Sequence, residues 1–267
     1  MGQSKVGANE MIIYEQKDKF IMIEQHEHAN VSGEMAIHWD MKYFQNKNRW
    51  ADVLLAVYEH DRGWIELDAV PFWNDRKQVP YSFMDFPLPP KLRAYQHGID
   101  TVEEKNSYAG LLCSLQYTHL ISEVSDDPQA VPFLAYEKNR QNNMIKQWIK
   151  NEDQKTDLYF HLSFLQFFDE LSLYICLNEP GTKKENEHVW FRDGFTKSKH
   201  FPFMNEKSII AHWIDEHHVK LSRFPFVNDF EINLKIKKVM KQHISQEGIA
   251  KAYENTSYDT RTVIFIK

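Results

Sequence analysis

The chain contains few of the residues that mark several large classes of protein. Its 267 residues include 2 cysteines and 9 glycines, too few for a disulfide scaffold or a glycine-rich nucleotide loop. Lysine and arginine total 32 against 38 acidic residues, so we expect neither nucleic acid nor a membrane surface as partner. No apolar run reaches the roughly 18 residues of a membrane span, and we expect no signal peptide. These absences predict a cytoplasmic protein with reduced thiols at Cys113 and Cys176.

What is present is an ordinary globular composition, with 42% hydrophobic and 26% charged residues. The length fits one large domain, or one domain with a small addition. We predict that residues 1–10 are a disordered arm and that 11–180 form a helical domain with an N-terminal β-hairpin. Residues 181–267 are predicted to be a β-rich addition. The predicted fold class is therefore mainly α, and α+β overall.

Hydrophobic periodicity predicts the individual elements. Residues 11–25 alternate as a hairpin does, whereas residues 62–100, with five prolines and many aromatic residues, are predicted to be a long packed loop. Helices are predicted over 28–45, 50–60, 107–121, 131–150 and 157–177. Thr156 or Asp157 is predicted to cap the last of these helices. Strands are predicted over 189–191, 208–214, 219–224, 231–236 and 262–266, with one helix in 237–254.

Four residues on the predicted helices are candidates for a metal site. His28 begins the first helix, His60 and Asp61 end the second, and Asp169 lies within the most apolar helix. A carboxylate buried among leucines costs free energy unless a cation or a hydrogen-bond donor meets it. Two imidazole nitrogens and two carboxylate oxygens suit a divalent ion such as Mn, Fe, Zn or Ni. Water bound to such an ion loses a proton near neutral pH and becomes a nucleophile.

This ordered set resembles the motif of the HD superfamily of metal-dependent phosphohydrolases. The matching stretches are His28, residues 54–63 with their His-Asp-Arg-Gly ending, and residues 167–171. Over about residues 11–180, the chain also resembles an uncharacterised bacterial family related to HD proteins, which has no established activity.

The resemblance implies an HD-like helical bundle in which His28, His60, Asp61 and Asp169 bind the metal. One departure is Trp64, which stands after the glycine where many HD enzymes have lysine. The extra histidine pair of two-metal HD enzymes is not plainly present either.

Other polar residues are candidates for chemistry around such an ion. His119 and Glu59 are candidate proton carriers, although a core histidine and a solvated glutamate are the simpler interpretations. Arg62 and His97 are candidate contacts to a small-molecule, possibly phosphorylated, substrate. Further candidates are His26 as a replacement for His28, and Arg76, Lys91 and Arg93 as phosphate contacts.

The function predicted from these residues is a metal-dependent hydrolase that cleaves a phosphoester with a metal-bound water. One alternative is a non-catalytic ligand-binding or regulatory protein. The other is a di-iron oxygenase, which would need more histidine ligands, with His119 and His97 as the candidates.

Overall fold

A computed structural model describes residues 11–124 and 127–267 of the chain. The predicted disordered arm, residues 1–10, lies outside the described residues. Helices account for 56% of the structure and strands for 18%, which confirms the α+β class. Cys113 and Cys176 are both buried and unpaired. In the described ranges, no helix is both long enough and apolar enough to cross a membrane.

Nine helices occur in the described ranges, joined by short 3₁₀ turns. They are α1 Gln25–Ala36, α2 Trp50–Glu59, α3 Ile65–Asp68, α4 Leu88–Lys105, α5 Ser107–Val124, α6 Val131–Trp148, α7 Glu152–Leu177, α8 Lys241–Glu247 and α9 Ile249–Asn255. The side chain of Asn106 accepts a hydrogen bond from the Ala109 amide at the start of α5, as a helix cap does. Asn151 caps α7 by accepting from the Gln154 amide, so the predicted cap at Thr156 or Asp157 is wrong by about one turn.

The predicted end of the first helix and the predicted loop over 62–100 were both wrong. The first helix ends at Ala36 and not at residue 45, because Trp39 leaves it to bridge Phe226 and is buried among phenylalanines such as Phe164. The predicted loop 62–100 contains α3, a small hairpin and the start of α4. The prolines suggested a loop, but Pro89 and Pro90 lie in the first turn of α4, where backbone N–H groups have no helical partner and proline is tolerated.

The strands form one six-stranded sheet and one two-stranded hairpin. They are β1 Ile12–Glu15, β2 Lys19–Ile23, β3 Trp73–Asn74, β4 Val79–Pro80, β5 Ala211–Trp213, β6 His218–Leu221, β7 Phe230–Met240 and β8 Tyr258–Ile266. The large sheet has the order β1-β2-β7-β8-β6-β5, antiparallel except for the pair β6–β8. The N-terminal hairpin is confirmed, and it shares this sheet with the C-terminal strands through pairs such as Phe20 with Val239.

Four of the five predicted C-terminal strands are present, with changed ends. The predicted strand at 189–191 is wrong, because Val189–Phe191 is a 3₁₀ turn. The single helix predicted over 237–254 is also wrong: β7 continues to Met240, and two short helices follow. They are separated by Gly248, whose φ of 79° lies in a region that favours glycine.

The core centres on α7, whose residues are buried on nearly every face. Helix α1 contacts α2 and α7, and also strand β7 of the sheet. One continuous hydrophobic cluster extends from Ile12 to Phe265. Helix α1 therefore carries His28 to the place where the helices and the sheet meet.

Candidate metal centre

The four predicted ligands lie together, although they come from three separate parts of the helical body. We call them the His–Asp cluster: His28, His60, Asp61 and Asp169. The His28 Nε2 atom lies 2.9 Å from Asp61 Oδ2 and 3.6 Å from Asp169 Oδ1. The His60 Nε2 atom lies 3.3 Å from His28 Nε2, 3.7 Å from Asp169 Oδ1 and 3.8 Å from Asp61 Oδ2. The ligand atoms of His28, His60 and Asp169 all lie within 4.8 Å of one another, and Asp61 joins this group through its 2.9 Å contact with His28.

Both imidazoles are held through their Nδ1 atoms. His60 Nδ1 donates to the Val57 carbonyl at 2.8 Å. His28 Nδ1 lies 2.6 Å from Ser172 Oγ, and this hydroxyl donates to the Asp169 carbonyl, so it accepts from His28. Both Nε2 atoms therefore face the cluster, where His28 Nε2 lies within hydrogen-bonding distance of Asp61 Oδ2, at 2.9 Å. In a neutral imidazole whose Nδ1 carries the proton, Nε2 has a lone pair that can bind a cation.

Each carboxylate has one oxygen fixed by helix α5. The Tyr117 hydroxyl donates to Asp61 Oδ1 at 2.7 Å, and the Gln116 amide nitrogen donates to Asp169 Oδ2 at 2.6 Å. The other oxygen of each carboxylate faces the imidazoles. Among the described residues, the buried Oε1 atom of Gln116 has no hydrogen-bond partner.

The charges of the cluster shift the pKa values of its members. Burial lowers the pKa of His60, but the carboxylates of Asp61 and Asp169 outweigh burial and raise it to about 9. Burial raises the pKa of Asp61, but the imidazoles of His60 and His28 lower it below its usual range. Burial and the Asp61 charge raise the pKa of Tyr117 well above its ordinary value, so this hydroxyl keeps its proton and acts as the donor.

The cluster fits a divalent cation in both donor chemistry and spacing. Ligand atoms that share an ion at about 2.1 Å each stand roughly 3.0–3.4 Å apart. The nitrogens of His28 and His60 and the Asp169 oxygen are separated by 3.3, 3.6 and 3.7 Å, within a few tenths of an ångström of that spacing. The imidazole side chains are only 1% and 2% exposed, whereas those of Asp61 and Asp169 are 10% and 13% exposed. All four side chains are therefore almost fully buried, and the two carboxylates are the more exposed pair.

One family model matches most of the chain, over residues 11–241, and its description is "Protein of unknown function (DUF3891)". The chain belongs to this family. The match includes the whole His–Asp cluster and ends at the beginning of α8. No curated protein and no solved structure matched the chain in the same comparisons.

The turn that carries His60 and Asp61 is set by a close backbone contact. A Cβ atom on Gly63 would lie 2.1 Å from the Ala94 carbonyl oxygen, and one on Gly98 would lie 2.6 Å from the Gly63 nitrogen. The turn after α2 therefore crosses α4 with no room for a side chain at either glycine. The buried Trp64 ring then meets Tyr95 of α4 edge-on at 5.4 Å.

The other predicted functional residues lie away from the cluster's ligand atoms. Both carboxylate oxygens of Glu59 are bound, one by Arg62 and one by Lys105, so Arg62 is engaged in a local ion pair. His97 is exposed on α4, and His119 contacts Lys197 and Glu123. The proton-transfer and substrate roles assigned to these residues stay predictions.

The remaining candidates differ in burial. Arg76 and Arg93 are exposed, and His26 is half-buried and belongs to no ligand group in the described ranges. Lys91 is buried, and its Nζ donates to the Phe83 carbonyl at 3.2 Å. Burial lowers the pKa of Lys91 to about 8, against the opposing effect of the Asp61 charge. Of the arginines and lysine proposed as substrate or phosphate contacts, Arg62, Arg76, Lys91 and Arg93, Lys91 is the buried one.

Sequence reasoning missed Gln116 and Tyr117. Both stand in the apolar run that precedes His119, where a buried amide and a buried hydroxyl need partners. That requirement was the available signal, but it does not say which partner the fold supplies.

Proposed function

We propose that the protein is a cytoplasmic, metal-dependent hydrolase of the HD type that cleaves a phosphoester of a small molecule. The His–Asp cluster would hold one divalent cation, such as Mn, Fe, Zn or Ni. The observation that carries the proposal is the convergence of two imidazole Nε2 atoms, 3.3 Å apart, with two carboxylates from different helices. The order of these residues along the chain supports it through the resemblance to HD enzymes.

The electrostatics of the cluster also support a cation. Two imidazole lone pairs and two carboxylates directed at one point repel one another unless a positive charge lies between them. Against the effect of burial, the carboxylates raise the pKa of His60 to about 9, so a proton on His60 would supply that charge in the metal-free protein. A divalent cation would satisfy all four groups at once, because nitrogen and oxygen ligands of this kind suit borderline divalent ions.

A bound divalent cation would supply the nucleophile by lowering the pKa of a water molecule. The chain's own residues would orient the reaction. Tyr117 and Gln116 hold the outer oxygens of Asp61 and Asp169, so the inner oxygens keep one direction. Lys91 places a buried ammonium group near Asp61, where it would stabilise negative charge on a phosphoryl group.

The test is a panel of phosphoesters assayed with and without added divalent ions. We expect metal-stimulated hydrolysis by the parent protein and a loss of more than about 100-fold in Asp169→Asn, because a ligand is removed. Asp157→Asn is the matched control, since it removes a half-buried carboxylate of the same helix that lies outside the cluster and accepts a hydrogen bond from Asn46. No metal-stimulated hydrolysis of any phosphoester, or equal rates for Asp169→Asn and Asp157→Asn, would contradict the proposal.

A second candidate is a non-catalytic protein that binds a metal for stability or regulation. The small exposure of the carboxylates, 10% and 13%, favours it, because a substrate needs access to the ion. Retained metal with no turnover on the whole panel would indicate this function. The di-iron oxygenase has no such support, since neither His97 nor His119 belongs to the ligand group in the part of the chain that the structure describes.

A further inference from the structure

A cavity separate from the ligand atoms lies between α5 and α7. Its volume is about 640 Å³, and the segment Thr196–His200 closes one side. We call it the α5–α7 cavity. Its walls include Leu115 and His119 of α5 and Leu162 and Gln166 of α7. Lys197 lines it from the segment Thr196–His200.

The charged groups of this cavity have one sign. Two lysines, Lys138 and Lys197, line it together with two histidines, and no aspartate or glutamate is among the described residues that line it. Lys197 Nζ lies 2.6 Å from His119 Nε2, where it donates to the imidazole. Burial and the Lys197 charge lower the pKa of His119, so this imidazole is neutral and adds no competing charge.

Two carboxylates oppose the positive charge of Lys197: the exposed Glu123 and the buried Glu170, which also accepts the Lys197 backbone N–H. The nearest carboxylate described for it is Glu123, whose oxygen lies 3.8 Å away and whose side chain is 53% exposed. An exposed ion pair at this distance contributes little free energy. The Lys197 side chain is itself only 21% exposed, so its ammonium group retains the capacity to bind an anion.

A second, independent observation is the position of the Gln166 amide. Gln166 is 6% exposed and lines the cavity. Its amide atoms are not among the fully buried, unpartnered atoms of the described ranges, so they reach the open space of the cavity. A ligand that enters the cavity therefore meets an amide that can donate and accept hydrogen bonds. The apolar residues Leu115, Leu162 and Phe160 provide a surface for the rest of that ligand.

We propose that the α5–α7 cavity binds a small molecule with one anionic group, a phosphate or a carboxylate, and an apolar body. Lys197 binds the anion, and Gln166 donates a hydrogen bond to it. Gln166 precedes Asp169 by about one turn of α7, but no residue of the His–Asp cluster is among the described residues that line the cavity. This binding site goes beyond the proposed hydrolysis and does not depend on a metal.

The proposal is tested by calorimetric titration of the full chain with phenylphosphonate and with benzoate. The two probes share an aromatic body and differ in the anion. We expect at least one of them to bind the parent and Lys197→Met to weaken that binding by about 10-fold or more, since a charge-assisted hydrogen bond is lost. Gln166→Leu should weaken binding by a smaller factor. Lys199→Met is the matched control, because it removes an exposed lysine of the same segment and should change the affinity less than about twofold.

Unchanged circular dichroism and melting temperature will show that Lys197→Met is folded. Absence of binding by both probes to the parent overturns the proposal, and so does an equal affinity of Lys197→Met and Lys199→Met. Repeating the titration after chelation separates this site from the metal centre. Binding that survives chelation supports the proposal even if the protein proves to hold no metal, whereas binding that needs added metal and survives Lys197→Met overturns it.

Discussion

At the scale of single residues, the orientation of the two carboxylates depends on helix α5. Tyr117 and Gln116 are adjacent in sequence, and each binds the outer oxygen of a different aspartate. A carboxylate held in this way loses less freedom when its other oxygen binds an ion. These two contacts thus connect helix α5 to the His–Asp cluster.

Tyr117→Phe tests that connection. We expect a loss of about 1 kcal/mol in stability, for one buried hydrogen bond, and a roughly 10–100-fold weaker affinity for the divalent ion. Tyr108→Phe is the matched control, because Tyr108 lies on the same helix, is buried and bonds His161 at 2.8 Å instead. Chemical denaturation and metal titration should show a similar stability loss in both variants and an affinity loss in Tyr117→Phe alone.

The pH dependence of stability tests the charge state of His60. A folded-state pKa of about 9, above the ordinary 6.5, means that protonated His60 stabilises the metal-free fold. This stabilisation, on the order of 3 kcal/mol, is complete below about pH 6.5 and is lost as the pH rises through 9. Bound metal would replace the proton, so we expect the metal-loaded protein to lack this loss.

The comparison needs a variant without the imidazole. Burial and the neighbouring Asp169 also raise the pKa of Glu170, to about 7. The protonated form of Glu170 therefore stabilises the fold, and this contribution is lost as the pH rises, as the contribution of His60 is. Denaturation of chelated parent and of chelated His60→Gln from pH 6 to 10 isolates the His60 contribution. Identical pH profiles for the two proteins would show that His60 carries no proton of this kind.

At the scale of elements, the contact between the turn after α2 and helix α4 positions half of the cluster. Gly63→Ala would place a methyl group 2.1 Å from the Ala94 carbonyl, a backbone atom that cannot rotate away. We expect the turn to shift, with a destabilisation of about 1–3 kcal/mol and weaker metal binding, because His60 and Asp61 move with it. Thermal denaturation and metal titration measure both effects. A free energy of unfolding within about 0.5 kcal/mol of the parent would mean that α4 can move to make room for the methyl group, and would contradict this prediction.

The sequence predicted most elements, but not the end of α1, which a contact between distant residues sets, and not helix α4. Periodicity is a local signal, so α2, α5, α6 and α7 were predicted within about a turn. The end of α1 was missed because it is set by Trp39, whose bridge to Phe226 joins residues far apart in sequence. Helix α4 was missed because its two prolines suggest a loop unless they are recognised as first-turn residues.

For the candidate site, the sequence likewise predicted the residues but not the packing that brings them together. The identities of His28, His60, Asp61 and Asp169 were available from the chain, since polar residues on apolar helices need partners. Their meeting point depends on the packing of α1 against both α2 and α7. The burial of Lys91 depends on the path of residues 62–100, which was predicted incorrectly as a loop, so its place near Asp61 was not predictable.

At the scale of the whole molecule, the two ends of the chain stabilise one another. Strand β2 pairs with β7, and the hydrophobic cluster contains residues from Ile12 to Phe265. A chain cut after residue 180 would leave β2 without its partner strand β7. It would also expose aromatic residues of α7, among them Phe167, which packs against Phe195. We expect residues 1–180 alone not to fold.

Circular dichroism and limited proteolysis of this fragment check that expectation, with the full chain as control. A fragment that melts cooperatively and resists protease would show that residues 11–180 form an independent domain. The full chain should instead unfold in a single transition.

The most direct test of the account is elemental analysis of the freshly purified protein, made in parallel on Asp169→Asn and Asp157→Asn. The account predicts about one divalent ion per chain in the parent and in Asp157→Asn, and a large loss in Asp169→Asn, whose fold is checked by circular dichroism. A parent protein that holds no divalent ion even after incubation with Mn, Fe, Zn or Ni, or an Asp169→Asn variant that retains the full amount, would contradict the metal centre.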